Sequence, residues 1–284
     1  MMEHVLTCID ASGYAESVCD LAAWASKRLE MPVELLHVVQ RSDAVAARSD
    51  RSGAIGLGVK SSLMEELVRM EAAETKLKVE RGRVLLAAAE QRLRDNGVAD
   101  VRTVHRHGGI IETILEREEG ARVVIIGKRG DSHEFAQGHI GSNIERVVRA
   151  STKPVLVASR EYVEPQHIVF AYDASPAADR ALERLVESTL FTGLPVHIVM
   201  ADTDNEARRR ALNSAAARLG EARVVTTTLE PGKPESLIAA IVEQTQGAML
   251  VMGAYGHSPI RTLIVGSTTT TMIRTVHVPV LLVR

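Results

Sequence analysis

The chain contains an internal repeat, and this repeat constrains its fold more than any other feature. Residues 4–12 resemble residues 167–175, and residues 31–33 resemble residues 194–196, in both cases 163 positions apart. The constant offset means that a first strand, a first helix and a second strand align without a gap. A repeat of this length is too long for a solenoid unit and matches the size of a small domain. The sequence therefore predicts two tandem copies of one domain.

A glycine-rich motif near the end of each copy belongs to the same repeat. It lies at 127–142 in the first copy and at 253–267 in the second, an offset of only 125 to 126 positions. The first copy therefore carries 37 extra residues in its middle and one extra residue inside its glycine loop. We place the insert at about 40–90, and we expect an N-terminal domain over 1–161 and a C-terminal domain over 162–284.

The composition restricts both the core and the class of partner. Hydrophobic residues make up 45% of the chain and aromatic residues only 3%, so the core must come from Val, Leu, Ile and Ala, which suits buried parallel strands. The net charge of −2 argues against nucleic acid as a partner. No apolar run reaches the roughly 18 residues of a membrane span, and no signal segment is apparent. We therefore expect a cytoplasmic protein in which Cys8 and Cys19 are reduced and buried.

Apolar, β-branched runs alternate with segments of helical periodicity in both copies. This alternation predicts parallel pairing through right-handed crossovers. The fold class is α/β, with two tandem five-stranded parallel sheets of Rossmann-like strand order 3-2-1-4-5. In the insert, the pattern predicts a loop over 40–60 and a long helix over 62–95 that is broken near Gly82. Met70 and Leu77 are among the apolar positions of that helix.

The second copy carries the features of a phosphate cradle. Ligands of open parallel sheets bind beyond the carboxyl ends of the strands, where the strand order reverses. Asp173 ends the first strand of this copy and Gly253 follows the fourth, so we expect both at one crevice. Glycines let a backbone approach an anion, and a helix beginning at Ser267 offers unpaired N–H groups. Two structural interpretations stay open. Asp173 and its counterpart Asp10 can be turn caps, and Gly266 with Ser267 can form a turn and an N-cap.

Both halves resemble the universal stress protein family, and the whole chain resembles a tandem two-domain member. ATP-binding members carry the pattern Gly-x2-Gly-x9-Gly-Ser/Thr, which the second copy matches over 253–267. The resemblance implies an adenine nucleotide alpha hydrolase-like fold and a set of residues that hold adenine, ribose and phosphates. The residues so implied are Ala171, Tyr172, Asp173, Ala201, Met252, Gly253, Tyr255, Gly256, Gly266, Ser267, Thr268 and Thr269.

The first copy departs from this pattern. Ten residues separate Gly130 from Gly141, and Asn143 and Ile144 stand where small hydroxyl residues are expected. One added residue moves backbone N–H groups by several ångströms, and Ile144 offers no donor. The first copy therefore binds nucleotide weakly, binds another ligand beside its insert, or is empty. Its weaker candidates are Asp10, Val38, Gly127, Gly130, Gly141 and Ser142.

The resemblance implies an ATP- or AMP-binding regulator of the stress response, with or without Mg²⁺, whose protein partner is unidentified. It also implies an internal pseudo-dimer through the last strands, with a homodimer as a further option. We assign no catalytic residue, because no nucleophile or general base can be placed in one crevice. We assign no metal site, because His105, His107 and His133 lack ligand spacing. The alternatives are an interaction module of the same fold that has lost nucleotide binding, and a slow ATPase.

Overall fold

The computed structural model describes residues 3–39, 59–130, 142–220, 223–254 and 267–284. Its strands are β1 (His4–Cys8), β2 (Val33–Val39), β3 (Val101–His107), β4 (Ala121–Gly127), β5 (Val155–Ala158), β6 (His167–Ala171), β7 (Val196–Ala201), β8 (Val225–Glu230), β9 (Ala248–Gly253) and β10 (Val280–Val283). Its helices are α1 (Ala15–Leu29), α2 (Val59–Asp95), α3 (Ile110–Arg117), α4 (Ser142–Ala150), α5 (Pro176–Glu187), α6 (Glu206–Leu219), α7 (Pro234–Gln244) and α8 (Ser267–Thr275).

The strands of the described residues form one continuous sheet in the order β3-β2-β1-β4-β5-β10-β9-β6-β7-β8. Within each half, all neighbouring strands are parallel. The predicted order 3-2-1-4-5 is confirmed in the first half, and the second half repeats it. Every residue of β5 and β10 is buried, which explains why these strands consist only of Val, Leu and Ala. The parallel ends of the strands set the position of any ligand site.

The two halves join through their last strands. β5 and β10 pair antiparallel, with Leu156 opposite Leu281. This is the arrangement expected of an internal pseudo-dimer, and it makes the complete sheet mixed rather than parallel throughout. Outside the sheet, Arg28 of α1 reaches across the joint, and its Nε donates to the carbonyl oxygen of Leu190 at 2.6 Å. The halves therefore form one continuous structure.

Helices cover both faces of the sheet and bury two cores. One core holds side chains of α1, α2, α5 and α6, including Leu21 and Leu182. The other holds side chains of α3, α4, α7 and α8, including Ile114 and Met272. Each core extends across both halves, because the sheet between them is continuous. Aliphatic residues dominate both cores, as the composition predicts.

The helix of the insert differs from its prediction. α2 runs without a break from Val59 to Asp95. Gly82 does not interrupt it; a Cβ there would lie 2.6 Å from both His105 Nε2 and His37 Cδ2, so the glycine lets α2 lie against β2 and β3. Met70 and Leu77 are exposed rather than part of the core. Of the predicted loop, residues 40–58 lie outside the described residues.

Both cysteines are free thiols, as the sequence predicts. Cys19 is buried in α1, but Cys8 is only half-buried, so the prediction of burial is wrong for that residue. Cys8 ends β1 and lines a cavity at the carboxyl edge of the first half. Its partial exposure follows from its place at the end of the strand, where the covering helices leave a crevice.

Candidate functional site

The carboxyl edge of the second half brings together the ends of β6 and β9. Ala171 pairs with Met252 in parallel register, so Asp173 and Gly253 emerge at the same edge. Asp173 is exposed, and its Oδ1 accepts a hydrogen bond from the backbone N of Ser175 at 2.9 Å. This contact is an Asx turn. Asp173 therefore has the turn-capping role that the sequence left open, at the edge where a ligand of this sheet would bind.

Gly253 lies where α5 packs onto the end of β9. A Cβ at this position would lie 2.6 Å from the backbone C of Ala177 and from the backbone N of Ala178. These are main-chain atoms of a helix and cannot rotate away. The next residue is also fixed, because the backbone N of Ala254 donates to the carbonyl oxygen of Val283 at 2.7 Å. The glycine thus permits close packing of helix on strand at the start of the proposed cradle.

Four other predicted adenine and ribose residues lie at or beneath this edge. Tyr172 is buried, and its hydroxyl donates to Oδ1 of Asp179 in α5 at 2.8 Å. Burial, followed by this hydrogen bond, raises the pKa of Tyr172 to about 12, so the phenol stays neutral. Ala171 and Ala201 end β6 and β7 and are half-buried, whereas Met252 is buried. The structure therefore places all four near the strand ends, with the Tyr172 hydroxyl held by α5.

The cradle helix begins where the sequence predicts it, since α8 starts at Ser267. Thr268 Oγ1 donates to Oε1 of Glu235, in the first turn of α7, at 2.9 Å, and Thr269 is buried. The sequence carries no signal for the role of Glu235, because its Pro-Glu context indicates a helix start and not a contact with another helix. The remaining motif residues, which lie outside the described residues, are Tyr255, Gly256 and Gly266. The cradle formed by their backbone amides stays a prediction.

The carboxyl edge of the first half encloses a cavity of about 80 Å³. Asp10, Gly127 and Gly130 line this cavity, together with Tyr14 and Ile144. Asp10 Oδ2 lies only 2.9 Å from the place where a Cβ on Gly130 would stand. Ligand pockets usually measure about 300–1,000 Å³. The structure thus brings three of the weaker candidates together around a space that is small for a nucleotide.

Asp10 forms the same turn as its counterpart Asp173, since its Oδ1 accepts a hydrogen bond from the backbone N of Ser12 at 3.1 Å. Both aspartates of the repeat are therefore turn caps at strand ends.

The other weaker candidates are less closely associated with this cavity. Val38 is half-buried in β2 and is not among the described residues that line the cavity. Ser142 begins α4, and Gly141 lies outside the described residues.

Lys128, between the two glycines of the first loop, contacts the other half. Its side chain is buried, and its Nζ donates to the carbonyl oxygen of Val276 at 2.9 Å. Burial, assisted by the charge of Arg129, lowers the pKa of Lys128 from 10.5 to about 8. Val276 follows the last residue of α8, where carbonyl groups lack helical partners and a cation is favourable. The first glycine loop is thus linked directly to the end of the cradle helix.

Comparison with known proteins agrees with the repeat and the fold. The model of the universal stress protein family matches residues 1–159 and 164–284. Universal stress protein Slr1230 of Synechocystis sp. is 34% identical over 292 residues, which cover 100% of both chains. The chain belongs to the universal stress protein family.

Solved structures share the architecture of this universal stress protein. A universal stress protein from Archaeoglobus fulgidus aligns over 99% of this chain and 98% of its own, with a TM-score of 0.71 and 23% identity. A putative universal stress protein from Pseudomonas aeruginosa aligns over 99% and 93%, with a TM-score of 0.64 and 17% identity. At these identities, the likeness confirms the fold alone.

The described part of this universal stress protein contains no helix that is long and apolar enough to cross a membrane. Nor do three or more His, Cys, Asp or Glu side chains of that part form a group that could hold a metal ion. His105 lies between His37 and His107, with ring centroids 5.3 and 5.9 Å away, and burial lowers its pKa. His133 lies outside the described residues. The neighbouring imidazoles favour a neutral His105 packed beneath α2.

Proposed function

We propose that this universal stress protein binds an adenine nucleotide, ATP or AMP, at the carboxyl edge of its second half. The observation that supports this most is a convergence at one edge: Asp173 after β6, Gly253 at the end of β9, and the start of α8 at Ser267. The motif Gly-x2-Gly-x9-Gly-Ser connects the last two. The first turn of a helix favours an anion, and a carboxylate accepts hydrogen bonds from an amino or hydroxyl group. A nucleotide offers both kinds of group.

The roles follow from the two sides of this edge. Adenine and ribose would occupy the side of Asp173, with Ala171, Tyr172, Ala201 and Met252 around them. Phosphates would occupy the side of α8, held by backbone amides and hydroxyl groups. Gly253 and Tyr255 are proposed for the ribose side as well. The residues proposed for the phosphates are Gly256, Gly266, Ser267, Thr268 and Thr269.

Glu235 affects which nucleotide fits. Its carboxylate accepts the hydrogen bond of Thr268 in the first turn of α8, so it adds a negative charge beside the proposed phosphate position. Two like charges at close range repel each other. We therefore propose that ATP binds together with Mg²⁺, which offsets this repulsion, and that AMP depends on the cation less.

The first half is proposed to lack a nucleotide. Its cavity of about 80 Å³ is smaller than common ligand pockets, and the side chains of Tyr14 and Ile144 line it. With one occupied site and no assigned catalytic residue, we propose a regulator of a cytoplasmic stress response rather than an enzyme. The nucleotide would act by binding one of two states of the protein more tightly than the other and so shifting the equilibrium between them.

The test is calorimetric titration of the full chain with ATP and Mg²⁺ and with AMP. The intact chain is required because both halves contribute strands to one sheet. Gly266→Asp places a carboxylate in the proposed phosphate position and should abolish binding. The matched control is Gly141→Asp at the corresponding place in the first half, which should leave the affinity within about twofold of wild type.

Each alternative gives a different result. Absence of binding by the wild-type chain would indicate an interaction module that has lost its ligand. Loss of binding in Gly141→Asp with normal binding in Gly266→Asp would move the site to the first half. ATP turnover proportional to protein concentration and abolished by Gly266→Asp would indicate a slow ATPase.

A further inference from the structure

Among the side chains that the structure describes in the insert helix α2, those that anchor it to the body of the protein lie near its end. The helix has 37 residues, a length of about 55 Å. Leu86 and Leu93 are buried in the core. Arg92 donates to both carboxylate oxygens of Asp20 in α1 at 2.8 Å, and Asn96 donates to the same carboxylate at 2.9 Å. These contacts fix the last third of the helix.

The preceding part of α2 has little contact with the rest of the chain. None of the described side chains between positions 65 and 80 is buried. A helix gains most of its stability in a protein from packing one face against another element. Within the described residues, no other element of the chain buries this segment.

One face of the exposed segment is apolar. Met70, Leu77 and Val84 are 64%, 60% and 65% exposed, and they follow one another at intervals of seven residues. Side chains at this interval lie on one face of a helix. We call these three residues the apolar stripe. A row of large apolar side chains exposed on the surface of a helix marks a contact site.

The charges along the helix indicate what covers the stripe. Residues 65–74 contain four glutamates and one arginine, whereas residues 75–84 contain two lysines, two arginines and one glutamate. The first segment therefore has a net charge of −3 and the second a net charge of +3. A second α2 lying antiparallel would place acidic segments against basic ones at both ends. A parallel arrangement would place like charges together.

We propose that the apolar stripe is a dimer interface, occupied by α2 of a second copy of this chain in antiparallel orientation. Such a contact has two-fold symmetry, so the same residues serve both copies. In the register we propose, the two-fold axis passes midway between Met70 and Leu77, so Met70 of one copy faces Leu77 of the other and Val84 lies outside this central pair. This proposal is independent of the nucleotide site.

The first test is sedimentation equilibrium of the full chain over a range of concentrations. We expect a monomer–dimer equilibrium for the wild type. Leu77→Glu puts two buried charges into the symmetric interface and should raise the dissociation constant by about 100-fold or more. The matched control is Val68→Glu, on the same helix and 58% exposed, but nine residues from Leu77 and so on the opposite face. This control should dimerise like the wild type, and both variants should keep the wild-type helix content by circular dichroism.

A wild-type chain that stays monomeric at all concentrations would overturn the proposal and indicate a different occupant of the stripe. Equal dimerisation of Leu77→Glu and wild type would also overturn it, because the dimer would then use another surface. Equal loss in Leu77→Glu and Val68→Glu would show that helix stability, and not the stripe, controls association.

The second test determines orientation through engineered cysteines. Glu66 and Arg81 lie at equal distances on either side of the proposed two-fold axis, and both are exposed. In the antiparallel dimer, Glu66→Cys and Arg81→Cys chains should form a disulfide with each other when mixed. Each variant alone should not exceed the wild-type background, because its two cysteines would lie about 22 Å apart. Efficient crosslinking of Glu66→Cys with itself would mean a parallel pair and would overturn the charge argument.

Discussion

Replacing Gly253 with alanine tests how closely α5 packs onto β9. The new Cβ would stand 2.6 Å from two backbone atoms of α5 and 2.9 Å from Ala177 Cβ. Carbon atoms pack at about 3.5–4.0 Å, so the helix or the strand must move by roughly 1 Å. Overpacking of this kind costs about 1–3 kcal/mol. Alanine also reduces the conformational entropy of the unfolded chain, which offsets about 0.4–1 kcal/mol of this cost. We expect a net loss of about 1–2 kcal/mol.

The measurement is denaturation by urea and by heat, followed by circular dichroism. The expected loss corresponds to a fall in Tm of about 2–8 °C for a cooperative unit of roughly 200 residues. The control is Gly109→Ala, because Gly109 has an ordinary φ of −74° and its Cβ would meet only the flexible side chain of Glu112. This control should lie within about 0.5 kcal/mol of the wild type. Equal stability of Gly253→Ala and wild type would refute the packing argument.

Two further predictions concern buried charges. Arg117→Ala removes two hydrogen bonds to the buried carboxylate of Glu34. The free energy of unfolding, measured by urea denaturation, should fall by about 3 kcal/mol, and a loss below about 1 kcal/mol would contradict this. Lys128 has a folded pKa of about 8 against 10.5 for the free side chain, so the folded protein releases this proton first as pH rises. The stability of the wild type relative to Lys128→Met should therefore rise between about pH 8 and 10.5, and a flat or falling difference would contradict the assignment.

The sheet could be predicted from the sequence because the patterns that indicate its strands are local and occur in both halves of the chain. Strands such as 121–127 and 248–253 are short apolar runs, and glycines end them at corresponding places. Parallel pairing then follows from the helices between the strands, since such crossovers have one hand. The order of strands needs no knowledge of side-chain contacts. This explains why the predicted strand order is confirmed, whereas predicted details of the insert are not.

The insert shows where this reasoning fails. The sequence marks Met70, Leu77, Leu86 and Leu93 alike as apolar positions of the helix, but only the last two reach the core of the chain. Leu86 is nine residues from Leu77 and therefore lies on the opposite face of the helix. A repeating apolar position requires a cover, and the pattern contains no information on which molecule supplies it. The predicted break of the helix near Gly82 is wrong for a related reason. A glycine that permits close packing on a neighbouring strand has the same sequence signature as one that breaks a helix.

The sequence predicts which strand ends meet at the candidate site, but not the side-chain contacts made there. The ends of β6 and β9 had to meet, because both strands are central in the predicted order. The hydrogen bond of Thr268 to Glu235 joins two helices 33 positions apart, and no local pattern indicates it. The same holds for Lys128, whose acceptor Val276 is 148 positions away. Contacts of this kind depend on how helices of different crossovers pack.

The Lys128 contact also explains how two copies of one motif can differ in role. Lys128 follows Gly127 in the first loop, and its ammonium group caps the end of α8, the helix that begins at the second motif. A loop whose lysine is buried in the joint between halves cannot also turn that lysine toward a phosphate. Ile144, buried beside the small cavity, has no hydroxyl group to offer one. The first motif thus supports the joint between the halves, through the contact of Lys128 with the end of α8.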